Sequence, residues 1–137
     1  MQKPAPKTLG SVSLTKGFRV SVAPRFEPAH SDASVPRYVF SYRIRIANES
    51  GVAAKLLRRT WQIMDGNGQV HRVQGDGVVG HQPELAPGEV HEYSSFCPLP
   101  TDWGTMEGVY TMQELKPDGS GDEFDIEIGR FYLMTNA

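Results

Sequence analysis

The chain has a single cysteine, Cys97, among its 137 residues. One thiol can form neither an intrachain disulfide nor a multi-cysteine zinc site, and it suits a reducing compartment. Cys97 is therefore expected to be a small buried thiol. Long apolar runs are also missing: nothing approaches the roughly 20 apolar residues that a membrane-spanning helix requires. Met1–Gly10 carries Lys3 and Lys7 but no apolar signal core, so a cytoplasmic protein without membrane insertion is expected. Charge of one sign is lacking too. Fourteen Lys plus Arg oppose sixteen Asp plus Glu, a formal net charge of −2, which leaves no global electrostatic basis for binding nucleic acid. The length allows one domain and excludes a two-domain cleft enzyme. Glycine and proline, in contrast, are plentiful at 14 and 10 residues. Both punctuate regular elements, so many short elements joined by turns are expected, which favours β structure.

Hydrophobic periodicity agrees. Phe18, Val20 and Val22 alternate with polar or small residues, the period of a half-buried strand. Pro28 to Pro36 has the composition of a loop with a mobile tip. Over Arg37 to Ala47, Tyr38, Phe40, Tyr42, Ile44 and Ile46 share one face, and Arg43 and Arg45 lie on the other. Val52 to Asp65 fits a helical stripe or a strand. The strand reading places Leu57, Trp61 and Ile63 on one face together with Arg59, and the Asp65–Gly68 sequence DGNG that follows is a hairpin turn signal. Val90 to Cys97 alternates poorly, as a bulged strand would. Met106, Gly108, Tyr110 and Met112 alternate again, and so do Phe124, Ile126 and Ile128, with Phe131 and Leu133 closing the pattern. Strands at regular spacing without a convincing helix sum to a β-sandwich.

Among chemical candidates, Gly75, Asp76, Gly77 and Gly80 sit in a GxGxxG pattern. In dinucleotide folds such a loop leads into a helix whose N-terminus meets the phosphate, and Pro83 and Pro87 exclude that helix here. A looser role remains, an anion-binding nest of backbone N–H groups with Arg72 nearby. The alternatives are a turn between sheets or a partner contact. Arg43 and Arg45 form an outward basic face expected to continue through Arg58, suited to an acidic partner or else paired with Glu107, Asp125 and Glu127. Trp103 is placed in a loop after Pro98 and Pro100, where it either meets a partner or folds back as a cap. Trp61 belongs to the core. Ser94 and Ser95 near His91 form no nucleophile constellation, and no enzyme activity is expected.

Five blocks in order, RYVFSYRIRIANES, LLRRTWQIMDGNG, VQGDGVVGHQPELAPGE, CPLPTDWGTMEGVYTM and EFDIEIGRFYL, resemble the ApaG domain over about Phe18 to Leu133. The resemblance implies a fibronectin type III-like sandwich and so a strand over Val52 to Asp65. It also implies a stand-alone bacterial protein linked genetically to cobalt tolerance and magnesium efflux, in a family whose eukaryotic relatives use the domain to bind proteins. His81, Glu84 and His91 depart from or lie outside that pattern. A direct metal site is not expected: His30, His71, His81 and His91 are scattered, and Asp118, Asp122, Glu123 and Asp125 resemble a solvated hairpin end. The expectation is a single immunoglobulin/fibronectin type III-like β-sandwich of seven to nine antiparallel strands over residues 11–135, behind a flexible tail of residues 1–10. It would act without cofactor as a monomer or weak homodimer, binding another protein through end loops or a sheet edge. The alternative ligand is a pyrophosphate-type anion at Gly75 to Gly80.

Overall fold

The computed structural model describes residues 9–135. The expected tail falls, for residues 1–8, outside the described residues; Leu9 is held by its carbonyl, which accepts from the Tyr132 N–H at 2.9 Å. The strands are β1 (Ser11–Thr15), β2 (Phe18–Phe26), β3 (Tyr38–Asn48), β4 (Ala54–Asp65), β5 (Val70–Asp76), β6 (Glu84–Leu85), β7 (Val90–Leu99), β8 (Trp103–Glu114) and β9 (Glu123–Met134). They pair antiparallel in two sheets. The first has the order β1-β2-β3-β7, the second β5-β4-β8-β9 with β6 beside β4. The ambiguous Val52 to Asp65 segment is thus a strand.

Alternation on β3 buries Phe40, Tyr42, Ile44 and Ile46 against β4, β8 and β9 residues such as Trp61, Tyr110 and Phe131. Each such side chain taken fully out of water contributes about 1.5–3 kcal/mol. Trp61 sits at the centre, its ring 5.6 Å from that of Tyr42 and 5.9 Å from that of Phe131. At the DGNG turn the Asp65 carboxylate accepts from the N–H groups of Asn67 and Gln69, and Gly68 takes a φ of 82°.

Two register shifts decide which side chains face inward. On β4, Leu56 pairs with Met112 and Arg58 with Thr111, so Leu57 is an extra residue without an opposite number. Before it the even positions Ala54 and Leu56 are buried; after it the odd positions Arg59, Trp61 and Ile63 face the other sheet. The expected placement of Leu57 on the inner face is corrected in this way: Leu56 takes the core position. On β9, two residues, Gly129 and Arg130, stand opposite Glu107 alone. Burial accordingly passes from Ile126 and Ile128 to Phe131 and Leu133. The bulge expected in Val90 to Cys97 is not there. β7 runs in unbroken register along β3, from Val90 opposite Ala47 to Leu99 opposite Tyr38. Its odd residues face the core and its even ones face water, and its weak apolar signal comes from polar residues turned inward.

The Pro28 to Pro36 segment is not an open loop. A 3-10 turn at Pro28–His30 is followed by paired backbone hydrogen bonds of 2.7 Å between Asp32 and Arg37. Trp103, expected in a loop, opens β8 opposite Met134 and is only 6% exposed. It caps one end of the sandwich beside Thr101, whose hydroxyl donates to the Trp103 carbonyl.

Candidate functional site

The two sheets do not meet equally on both sides. On one side β9 lies against β1 and β2. On the other, β5 and β7 are edge strands of different sheets, and a cleft of about 480 Å³ opens between them. Trp61, Cys97 and Met106 line its depth, while Val73 of β5 and Phe96 and Pro98 of β7 line its mouth. Phe96 is 61% exposed.

Tyr42 and Ser95 bring hydroxyl groups into this apolar space, and Tyr93 and Tyr110 lie in the core beside it, outside its lining. The hydroxyls of Tyr93 and Tyr110 lie 2.5 Å apart, and Ser95 stands directly across from Tyr42 on the paired strand. Burial raises all three tyrosines above the usual phenol range, and the nearby charge of Arg59 opposes that rise at each of them. Burial also pushes the Cys97 thiol up to about 11. At neutral pH the site therefore holds neutral hydroxyls and a protonated thiol, groups that donate hydrogen bonds but are poor nucleophiles. His91 faces the core near Tyr93, with ring centroids 6.1 Å apart. Its Nε2 has no hydrogen-bond partner among the described residues, and burial, then the charge of His81, holds its pKa below the usual imidazole value.

Arg59 is the charged group facing the cleft from β4, and the glycine block holds it. Its Nη1 donates to the carbonyls of Asp76 at 3.0 Å and Gly77 at 2.8 Å. Gly75 pairs across from Arg59, and a Cβ there would lie 2.9–3.0 Å from the guanidinium, so a side chain would displace it. Gly77 takes a φ of 61°, and its N–H donates to the carbonyl of the bulge residue Leu57 at 2.8 Å. Val78 and His81 then close a turn on each other's backbone, with Val79 and Gly80 both at positive φ, as a type I′ turn requires.

Of the readings open for Gly75, Asp76, Gly77 and Gly80, the geometry contains a turn, closed between Val78 and His81. The N–H groups of Gly77, Val78 and His81 are engaged within the chain, and the loop offers carbonyls to a cation of its own sequence. The expected companion, Arg72, pairs with Gln62 on β4 and lines a different hollow on the outer face of the second sheet, beside Glu107 and Arg130. The basic face is also corrected. Arg43 and Arg45 belong to the first sheet, but Arg58 is on β4 in the second, so they form no continuous patch. Their acidic partners differ from those expected as well: Glu92 sits 2.7 Å from Arg43 and 3.7 Å from Arg45, and Glu123 sits 2.8 Å from Arg58. Glu107 instead pairs with Arg130, and Asp125 accepts from the Thr111 hydroxyl. Exposed pairs of this kind are screened by water and salt.

Arg59 and the three tyrosines were not singled out by sequence reasoning. A signal for Arg59 was present, since the strand reading put a cation on one face with Trp61 and Ile63. In the acidic hairpin, the Asp118 carboxylate accepts from the N–H and hydroxyl of Ser120. Among the described residues no three His, Cys, Asp or Glu side chains are grouped so as to hold a metal ion.

These features define an all-β, two-sheet sandwich sealed along one side and open along the other. A family model described as the ApaG domain matches residues 28–114. The Protein ApaG of Rhizobium etli is 48% identical over 121 residues, covering 88% of this chain and 90% of that protein. The Protein ApaG of Anaeromyxobacter sp. strain K is 47% identical over 125 residues, covering 91% and 95%. A crystal structure titled as the putative ApaA protein from Bordetella pertussis superposes with a TM-score of 0.80 at 42% identity, over 96% of this chain and all of that one. The chain belongs to the ApaG family.

Proposed function

We propose that the chain is a non-enzymatic binding module, a fibronectin type III-like domain over residues 11–135 that docks an extended segment of another protein in the cytoplasm. The observation that carries this reading is the apolar cleft between β5 and β7, with exposed Phe96 at its mouth and, among the described residues, no strand beside either edge. An edge strand presents unpaired backbone donors and acceptors, and a partner segment pairs with them while its side chains enter the adjacent cleft. Docking thus falls on a sheet edge, one of the two modes expected, and not on the end occupied by the buried Trp103. The link of bacterial relatives to cobalt tolerance and magnesium efflux fits this reading as an indirect effect exerted through the partner. Binding of a pyrophosphate-type anion at Gly75 to Gly80 has less support, because the N–H groups of Gly77, Val78 and His81 already donate within the chain.

Site-specific photocrosslinking in cells tests the reading. A benzophenone side chain replaces Phe96 at the open side or Leu14 on β1, two exposed positions. The same protein adduct at position 96 and not at 14 supports docking at the cleft. Adducts at 14 alone, or at neither position, contradict it.

A further inference from the structure

We infer that the docked segment carries a carboxylate next to an apolar residue, with Arg59 receiving the carboxylate and the Trp61–Met106 floor receiving the apolar side chain. This inference rests on the cleft being the docking site and adds the chemistry of the occupant. Charge complementarity is its basis. No acidic residue lines the cleft, whereas Arg59 and His71 do. Other arginines around the sandwich, Arg19, Arg43, Arg58 and Arg130, each have a glutamate partner. Arg59 has none among the described residues, and its hydrogen bonds there use Nη1 alone, leaving Nη2 and Nε without a protein acceptor.

The guanidinium is also fixed in place before any ligand arrives. Two loop carbonyls grip one nitrogen, and the missing side chain of Gly75 makes room for the rest. A planar donor pair held this way suits the two oxygens of a carboxylate, and little freedom is left to lose when it binds. The Tyr93 and Tyr110 hydroxyls bond each other and lie outside the cleft lining, in which Arg59 is the arginine that faces a guest. A protein segment fits better than a small free acid because the apolar surface continues out of the cleft onto Phe96 and Val73, on strands whose outer edges carry no further strand among the described residues. Pro98, which has no N–H, and Pro100 beyond it limit strand pairing to the part of β7 that precedes them.

The test pans a random dodecapeptide phage library on the full chain and measures the recovered peptides by titration calorimetry. Expected are peptides with Asp or Glu beside an aromatic or aliphatic residue whose binding is lost in Phe96→Asp. Replacing that acid by its amide should weaken binding about tenfold, the scale of a charged hydrogen bond. Arg59→Met should weaken the parent peptide similarly and the amide peptide hardly further, so that the two changes are not additive. Because Arg59→Met also removes bonds to the loop, Arg59→Lys serves as a second variant, and the amide substitution leaves the protein untouched. Peptides that need Phe96 but carry no acid and bind Arg59→Met equally well would overturn the inference while leaving the docking reading standing. Recovery of no peptide sensitive to Phe96→Asp would overturn both. Binding of phenylacetate at Arg59, seen by NMR, with no peptide recovered would overturn the assignment to a protein segment.

Discussion

The two sides of the sandwich solve the same problem in opposite ways. Where β1 meets β9, the chain places Ser11, Ser13 and Thr15 at alternate positions. The Ser11 hydroxyl donates to the Gly129 carbonyl at 2.7 Å, and Thr15 accepts from the Glu127 N–H at 3.1 Å. Small hydroxyl side chains let one sheet's edge close on the other. Where β5 and β7 run, the inward positions hold Tyr93, Ser95 and Cys97 on β7, with Arg59 and Trp61 behind them on β4. Among the described residues no hydrogen bond joins β5 to β7. Bulky and charged groups hold this side apart and leave a cleft. The size and polarity of a few inward residues thus decide which edge of a sandwich is sealed and which is left for a guest.

The core beneath the open side should be the costliest place to damage. Tyr110→Ala removes a fully buried ring and leaves the Tyr93 hydroxyl without its partner; a loss of about 3–5 kcal/mol is expected in urea unfolding. At the sealed side, Ser11→Ala combined with Thr15→Val deletes two side-chain hydrogen bonds to the β9 backbone. This should cost about 1–2 kcal/mol and speed amide exchange at Glu127. A loss at the sealed side equal to that at Tyr110 would break the comparison.

Alkaline pH separates the sides more gently. The Cys97 thiol is raised to about 11 in the folded chain from an ordinary value near 9. Its contribution to stability is therefore intact below pH 9 and lost as pH rises through 11, because the unfolded chain releases that proton first. The raised tyrosines act with the same sign. Amides of β7 should open before those of β9 as pH rises, and Cys97→Ala should flatten part of the slope. Smallest is the acid-side effect of His91. Burial holds its pKa below 6.5, so its contribution is present above the unfolded value and lost as pH falls through the folded one. Melting curves of His91→Phe between pH 7 and 5 should therefore fall less steeply than those of the parent chain.

Much of the sandwich was legible from local pattern. The β3 alternation, the DGNG hairpin and the β8 and β9 runs are short-range signals, and family resemblance resolved β4. What stayed hidden depends on pairing between distant segments. Nothing near Leu57 announces that it lacks an opposite residue on β8, yet that bulge gives the core position to Leu56. Arg45 and Arg58 look adjacent in a list of strands, but the order β1-β2-β3-β7 puts β4 in the other sheet. The GxGxxG pattern identified a tight backbone but not which way its peptide groups point, and here the Asp76 and Gly77 carbonyls face the cation. Trp103 misled because the flanking prolines suggested a loop, while its pairing with Met134 lies across the sheet.

The central claim is that the chain receives its partner at the open side. Amide hydrogen exchange resolved by NMR tests it most directly, comparing the free chain with the chain saturated by a peptide recovered in the panning. Slowed exchange along β5 and β7, with β1 and β9 unchanged, is the predicted result. Protection confined to β1 and β9, or to the end capped by Trp103, would contradict it.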